Sequence, residues 1–150
     1  MKIDPAQLLK EHPCRDFIEL LITYAEKVYR ELGTGMSESI YHKAFAVMLR
    51  ENEIPYESEC VIPVKFNGYC VGHLRPDIIL HRPTSRDAFF IIEFKAIVKT
   101  PGPQELSQMK SYLRTTGLKN GVIINFPQPN YTDFEMIDER ETVDYLPVTI

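Results

Sequence analysis

Hydrophobic and polar positions divide the chain into helical and strand-like stretches. From about residue 16 to residue 32, Phe17, Leu20, Leu21, Tyr24, Val28 and Leu32 fall on one stripe of a helix. Gly33-Thr34-Gly35 ends that pattern, with glycine where a left-handed cap is wanted. A second helix is predicted from about residue 37 to residue 53, with Ser37 as its N-cap and Ile40, Tyr41, Ala44, Phe45 and Met48 as its buried stripe. Residues before about 13 read as a frayed or loosely docked end. Short strands follow: residues 59–66 alternate, Asn67-Gly68 is a strong hairpin signal, and residues 69–72 return. Residues 74–80 read as a further strand, with Arg75, Asp77 and Ile79 on one face and Leu74, Ile78 and Leu80 on the other.

The polar loop 81–87 leads into the most apolar run of the chain, residues 88–98, interrupted by Glu93 and Lys95. Such a run suits a strand covered on both faces. Joined by a short loop, it and the preceding strand most simply make an antiparallel hairpin, which places Asp77 and Glu93 on neighbouring strands, within reach of a shared ion if the register allows. Thr100-Pro101-Gly102-Pro103 breaks the sheet, and a helix is predicted from Pro103 to about Thr116, stopped by Gly117, with Leu106, Met109 and Leu113 inward. Residues 121–126 form a last core strand, and the strand–helix–strand order implies a parallel, right-handed crossover. Residues from 127 onward are weakly patterned and read as peripheral, with 144–150 as a candidate edge strand.

Composition narrows the class. With 150 residues, 44% hydrophobic and 25% charged, the chain fits one globular domain over 1–150 with its own core. It shows no signal-peptide core and no run that could span a bilayer. Three cysteines, Cys14, Cys60 and Cys70, have no paired spacing. They argue against a disulfide framework, structural zinc or a four-cysteine cluster, and for an intracellular setting, cytoplasmic first with the nucleus left open. Cys60 and Cys70 read as small core residues. The net charge of −4 opposes non-specific coating of nucleic acid. Six acids of the segment 128–150 face one base there, so the remainder of the chain is close to neutral.

Four charged groups carry the chemistry: Glu38 on a helix, Asp77 on a strand, and Glu93 with Lys95 on the next strand. Buried charge needs partners. A salt bridge and a macrodipole-stabilising first-turn acid account for the same residues without any function. The functional account is a site where hard oxygen ligands hold Mg²⁺ or Mn²⁺ and leave room for water and a phosphate oxygen. Such an ion activates water and offsets transition-state charge, with a lysine beside it. His42, His73 and His81 share no metal-ligand spacing and read as exposed or capping residues.

Arg75-Pro76-Asp77 with Glu93-Phe94-Lys95 resembles the core motif of the PD-(D/E)XK nuclease superfamily. Gly35-Met36-Ser37-Glu38-Ser39-Ile40-Tyr41 resembles the GxxExxY signature of one branch, and Gln108 to Tyr112 resembles the QxxxY motif of RecB-like members. Residues 121–126 are similar to the closing strand. The likeness covers roughly residues 17–127 and leaves 128–150 as an acidic extension without a counterpart.

The resemblance implies an α/β (α+β) restriction-endonuclease-like core, a central mixed sheet flanked by helices in αβββαβ order. It implies metal ligation by Asp77 and Glu93, by Glu38 directly or through water, and by the carbonyl of Phe94. Lys95 would serve the nucleophile and Gln108 would position it or a phosphate. Arg75, Lys110 and Arg114 would meet the nucleic-acid backbone, and Tyr41 and Tyr112 would support the site. The activity implied is Mg²⁺- or Mn²⁺-dependent hydrolysis of nucleic-acid phosphodiesters, with DNA favoured over RNA, no membrane partner, and a homodimer compatible. The alternatives are a catalytically inactive nuclease-fold binding or assembly module, and hydrolysis of another phosphorylated substrate.

Overall fold

The computed structural model describes residues 2–130 and 142–150. The acids between Asp133 and Glu141 therefore lie outside the described residues. Helix α1 (Pro5–Glu11) precedes α2 (Arg15–Leu32) and α3 (Glu38–Glu51). Five strands follow: β1 (Tyr56–Ser58), β2 (Ile62–Phe66), β3 (Tyr69–Leu74), β4 (Ile78–His81) and β5 (Ala88–Lys95). Helix α4 (Pro103–Thr116), β6 (Asn120–Asn125) and β7 (Asp144–Thr149) complete the fold.

The central sheet has the order β1-β4-β5-β6-β7, and β2-β3 form a separate two-stranded sheet. Strand β5 is antiparallel to β4 and parallel to β6, so the expected hairpin and crossover are both present. This is a mixed sheet flanked by helices, as expected. Period two along β4, β5 and β6 sends alternate side chains to two cores. Ile78, Leu80, Phe90, Ile92, Phe94, Val122 and Ile124 pack with α2 and α3. Ile79, Ile91 and Ile123 pack instead with Met109, Tyr112 and Leu113 of α4. Gly121 lets α4 approach: a Cβ there would lie 2.8 Å from the Ile91 carbonyl and from Met109 Sδ.

Several expectations need correction. The stretch 74–80 is not one strand. It breaks at Arg75-Pro76-Asp77, where β3 leaves for the small sheet and β4 enters the large one. Proline has no N–H to give to a ladder, which suits a break there. Leu20 and Ile40 are exposed, and Ile18, His42 and Leu49 take the buried positions. The wider contact face of each helix, rather than a narrow stripe, sets which side chains are covered. Cys70 is exposed, on the two-stranded β2-β3 sheet that stands apart from the central one.

The chain ends are also better anchored than their patterning suggests. Asp4 caps α1, and the buried His12 ring lies 2.8 Å from the Val148 carbonyl through Nε2. Its Nδ1 accepts from the Cys14 N–H, which leaves Nε2 as the donor. Strand β7 is an edge strand, as expected, but Val143, Leu146 and Val148 are buried in it or beside it. Leu146 and Val148, two apart, with Val143 before them suffice for this, and so few carry little periodic signal.

Candidate active site

The carboxylates meet where β5 ends and β4 begins. Antiparallel pairing of Ile78 with Ile92 puts the next residues outward, Asp77 and Glu93, side by side. Each carboxylate accepts from a backbone N–H at or next to the other residue. The Asp77 N–H donates to Glu93 Oε1 at 2.6 Å, and the Phe94 N–H donates to Asp77 Oδ2 at 2.7 Å. Asp77 sits in a bend, free of the pleat, so its backbone N–H is available to a side chain. Glu93 is buried and follows Ile91 toward the α4 side.

Burial dominates the electrostatics. Desolvation, and then the charge of Asp77, push the Glu93 carboxyl up to about 8, against the Asp77 N–H and Lys95. Asp77 is raised as well, chiefly by burial, while the Phe94 N–H, His42 and Lys95 oppose the rise. Glu38 is exposed as a whole residue, at the rim of the cluster. Desolvation first, then the Asp77 charge, raise its carboxyl, and Lys95 lowers it. Its first helical turn lies beyond the core that buries Tyr41, which explains the exposure. Lys95 thus acts on all three acids.

Helix α3 is fixed from the far side. Ser37 accepts from the Ile40 N–H as its N-cap. The Tyr41 hydroxyl donates to the Gly33 carbonyl at 2.6 Å, and its ring stacks on Phe126 at 4.3 Å. The Gln128 amide donates to Tyr41 Oη at 3.2 Å and accepts from the Gly35 N–H at 2.8 Å. Gly35 has φ +90°, a backbone conformation that favours glycine. Glycine, tyrosine and Gln128 together set the position of Glu38. Tyr41 is buried and packs against α2 and Phe126.

On α4, Gln108 Nε2 donates to Tyr112 Oη at 3.1 Å, one turn on. Burial, followed by the charges of Glu93 and Asp77, pushes the Tyr112 hydroxyl up to about 12. Gln108 is therefore held by a tyrosine within the field of the acids. Arg75 is exposed two residues from Asp77, Arg114 is exposed, and Lys110 is half-buried. Among the described residues, Arg75, Lys110 and Arg114 do not figure among the main charges acting on Asp77 and Glu93, whereas His42 and Lys95 do.

Sequence reasoning missed two residues here. His42 is buried, with Nδ1 4.0 Å from Asp77 Oδ1 and Nε2 3.3 Å from Ser58 Oγ. Its signal was present: it stands four residues after Glu38, on the same helix face. Gln128 lies in the segment expected to be peripheral and had no local signal. A groove of about 330 Å³ runs from His42 and Ser58 along α3, with Lys43 and Arg50 on it.

Among the described residues, no three His, Cys, Asp or Glu side chains converge as a ready-made metal cage. Asp77 and Glu93 still form a hard-oxygen donor pair whose ionised state is disfavoured by burial and mutual repulsion. That fits Mg²⁺ or Mn²⁺, which bind through one or two carboxylates and keep several waters.

The sequence pattern of the PD-(D/E)XK nuclease superfamily matches residues 15–137. No curated protein matches the chain. Among solved structures, a protein named SSO0001 is similar in fold, with a TM-score of 0.50 at 12% identity, over 89% of this chain and 78% of that one. An alkaline exonuclease, LHK-Exo from Laribacter hongkongensis, gives a TM-score of 0.46 at 13% identity, over 96% and 75%. No helix among the described residues is long and apolar enough to cross a membrane.

Proposed function

The chain belongs to the PD-(D/E)XK nuclease superfamily, and from that premise we propose that it is a Mg²⁺- or Mn²⁺-dependent nuclease that hydrolyses phosphodiester bonds of DNA. The observation that carries this reading is the interlocked pair Asp77 and Glu93, with Lys95 acting on both. It is a member of the GxxExxY branch in this reading. Gly35 and Tyr41 serve one purpose there, which is to hold the first turn of α3, and with it Glu38, at the rim of the acid pair.

Asp77 and Glu93 would hold the ion, with Glu38 reaching it from the rim and the Phe94 carbonyl as a further oxygen ligand. When bound, the ion supplies a Lewis acid for the scissile phosphate and lowers the pKa of water. Lys95 offsets the negative charge that grows on the phosphate and its attacking oxygen as the bond forms. Gln108, held by Tyr112, orients the nucleophile or a phosphate oxygen. Burial of Glu93 keeps the site low in dielectric, so each of these interactions is stronger than in water.

Calorimetric titration with Mn²⁺ tests the metal part of this reading. The unmodified protein is expected to bind the ion and Asp77→Asn to lose that binding. Equal binding by Asp77→Asn would move the ion to other residues.

Lys110 and Arg114 stand one turn apart on α4, and Arg75 sits beside Asp77. In this reading they meet phosphates of the incoming strand. Each neutralised phosphate releases counterions, so the double variant Lys110→Ala, Arg114→Ala should bind DNA less tightly and with a shallower salt dependence. The slope of log affinity on log salt should fall by about one to two. An unaltered slope would take the substrate path off α4.

A further inference from the structure

The β2-β3 hairpin carries an apolar strip that α4 covers at one end and leaves bare at the other. Register pairs Ile62 with Leu74 and Val64 with Gly72, then shifts and pairs Phe66 with Tyr69. Period two along β2 puts Ile62, Val64 and Phe66 on one face. Ile62 and Leu74 pack against the α4 core. Phe66 and Tyr69, at the tip, are 67% and 76% exposed. A pair of aromatic rings flanking an Asn67-Gly68 turn needs no such exposure to form the turn, which is specified by backbone angles (φ +51° and +82°).

The hairpin itself carries charge of one sign, between the acids Glu59 and Asp77 that flank it in sequence. Residues 60–75 hold Lys65 and Arg75 and no aspartate or glutamate, in a chain whose net charge is −4. Both cations are exposed. The arm is also continuous with the acid pair, since β3 runs through Arg75-Pro76 into Asp77. Exposed aromatic rings on a hairpin whose cations are Lys65, next to the tip on the opposite face, and Arg75, at the base, complement a single strand of nucleic acid, whose unpaired bases stack on the rings while phosphates meet the cations. A duplex offers no free base faces to such rings.

We propose that the β2-β3 hairpin is a single-strand arm: Phe66 and Tyr69 stack on unpaired bases of the DNA substrate, and Lys65 and Arg75 lead its backbone to Asp77. The inference rests on the nuclease reading and adds to it a substrate form, a strand unpaired next to the cut.

The test uses a Glu93→Gln background, so that bound DNA stays intact, and a labelled oligothymidylate of about twelve nucleotides. Adding Phe66→Ala and Tyr69→Ala should weaken binding about tenfold or more. The chain has no tryptophan, so Phe66→Trp makes a single reporter. It should retain binding, with fluorescence quenched as the oligonucleotide is added. Unweakened binding by the double alanine variant, or binding without quenching of the tryptophan, overturns the arm. The arm is overturned equally if the unmodified protein is a dimer that the alanine pair converts to a monomer at unchanged DNA affinity; the strip is then a contact with a second copy. Hydrolysis of bis(4-nitrophenyl) phosphate by the unmodified protein tests the nuclease reading separately, because that diester carries no base. Hydrolysis with an unweakened alanine pair removes the arm and leaves the nuclease. Failure of the unmodified protein both to hydrolyse the diester and to bind the oligonucleotide removes both.

Discussion

Replacing Lys95 by alanine is expected to slow DNA cleavage by about two orders of magnitude or more while metal and DNA binding persist. The argument starts from position. Lys95 lies two residues beyond Glu93 on β5, at the sheet end where the acids gather, and it is half-buried. It lowers the pKa of Glu38, Asp77 and Glu93, so its charge reaches the space all three border. A cation there gains most when negative charge grows, which is in the transition state and not in the ground state. Its loss should therefore appear in kcat more than in KM. Single-turnover cleavage beside anisotropy binding measures both. Parallel loss of binding and rate would reduce Lys95 to a docking or ion-pair role.

The second large effect is on stability. In the folded, metal-free protein the Glu93 carboxyl titrates near 8, raised from an ordinary 4.5 by burial and by Asp77. A raised acid pKa means that the folded state keeps a proton the unfolded state has lost. The stabilisation it brings is full below about pH 4.5 and declines as pH rises toward about 8. The decline is on the order of a few kcal/mol. Asp77 and Glu38 are raised too and add in the same direction. Glu93→Gln keeps an oxygen for the Asp77 N–H and removes the ionisation. In chelator, denaturant unfolding at several pH values should show a steep loss in the unmodified protein and a much flatter curve in Glu93→Gln. Added Mn²⁺ should flatten the unmodified curve, because a cation favours the ionised carboxylates. Identical curves for the two proteins in chelator would mean that Glu93 is not strained by burial.

What the sequence made legible follows from the range of each signal. The hairpin turn at Asn67-Gly68, the N-cap Ser37, Pro103 at the start of α4 and Gly117 at its end are local, and all four stand where the pattern put them. Asp77 and Glu93 were brought together by strand parity and a short loop, which is also a local argument. The break at Pro76 was read as continuous strand because the alternation runs through it. Only the division into two sheets shows that one strand is two. His42 and Gln128 were missed for different reasons. The histidine had helix spacing from Glu38 but no second histidine at ligand spacing to suggest ligation. Gln128 acts on Gly35 and Tyr41, some ninety residues earlier in the chain, and nothing in its own neighbourhood announces that. Anchoring of α1 through His12 and Val148 is the same kind of long-range fact.

Catalysis at the Asp77–Glu93 pair is most directly tested by cleavage itself. The purified protein is incubated with end-labelled single-stranded DNA, duplex DNA and RNA, in Mg²⁺, in Mn²⁺ and in chelator, beside Glu93→Ala purified identically. The prediction is cleavage of DNA that requires Mg²⁺ or Mn²⁺, stops in chelator and is absent in Glu93→Ala. Cleavage that persists at the same rate in Glu93→Ala, or nucleic-acid binding without cleavage under every condition, would contradict it.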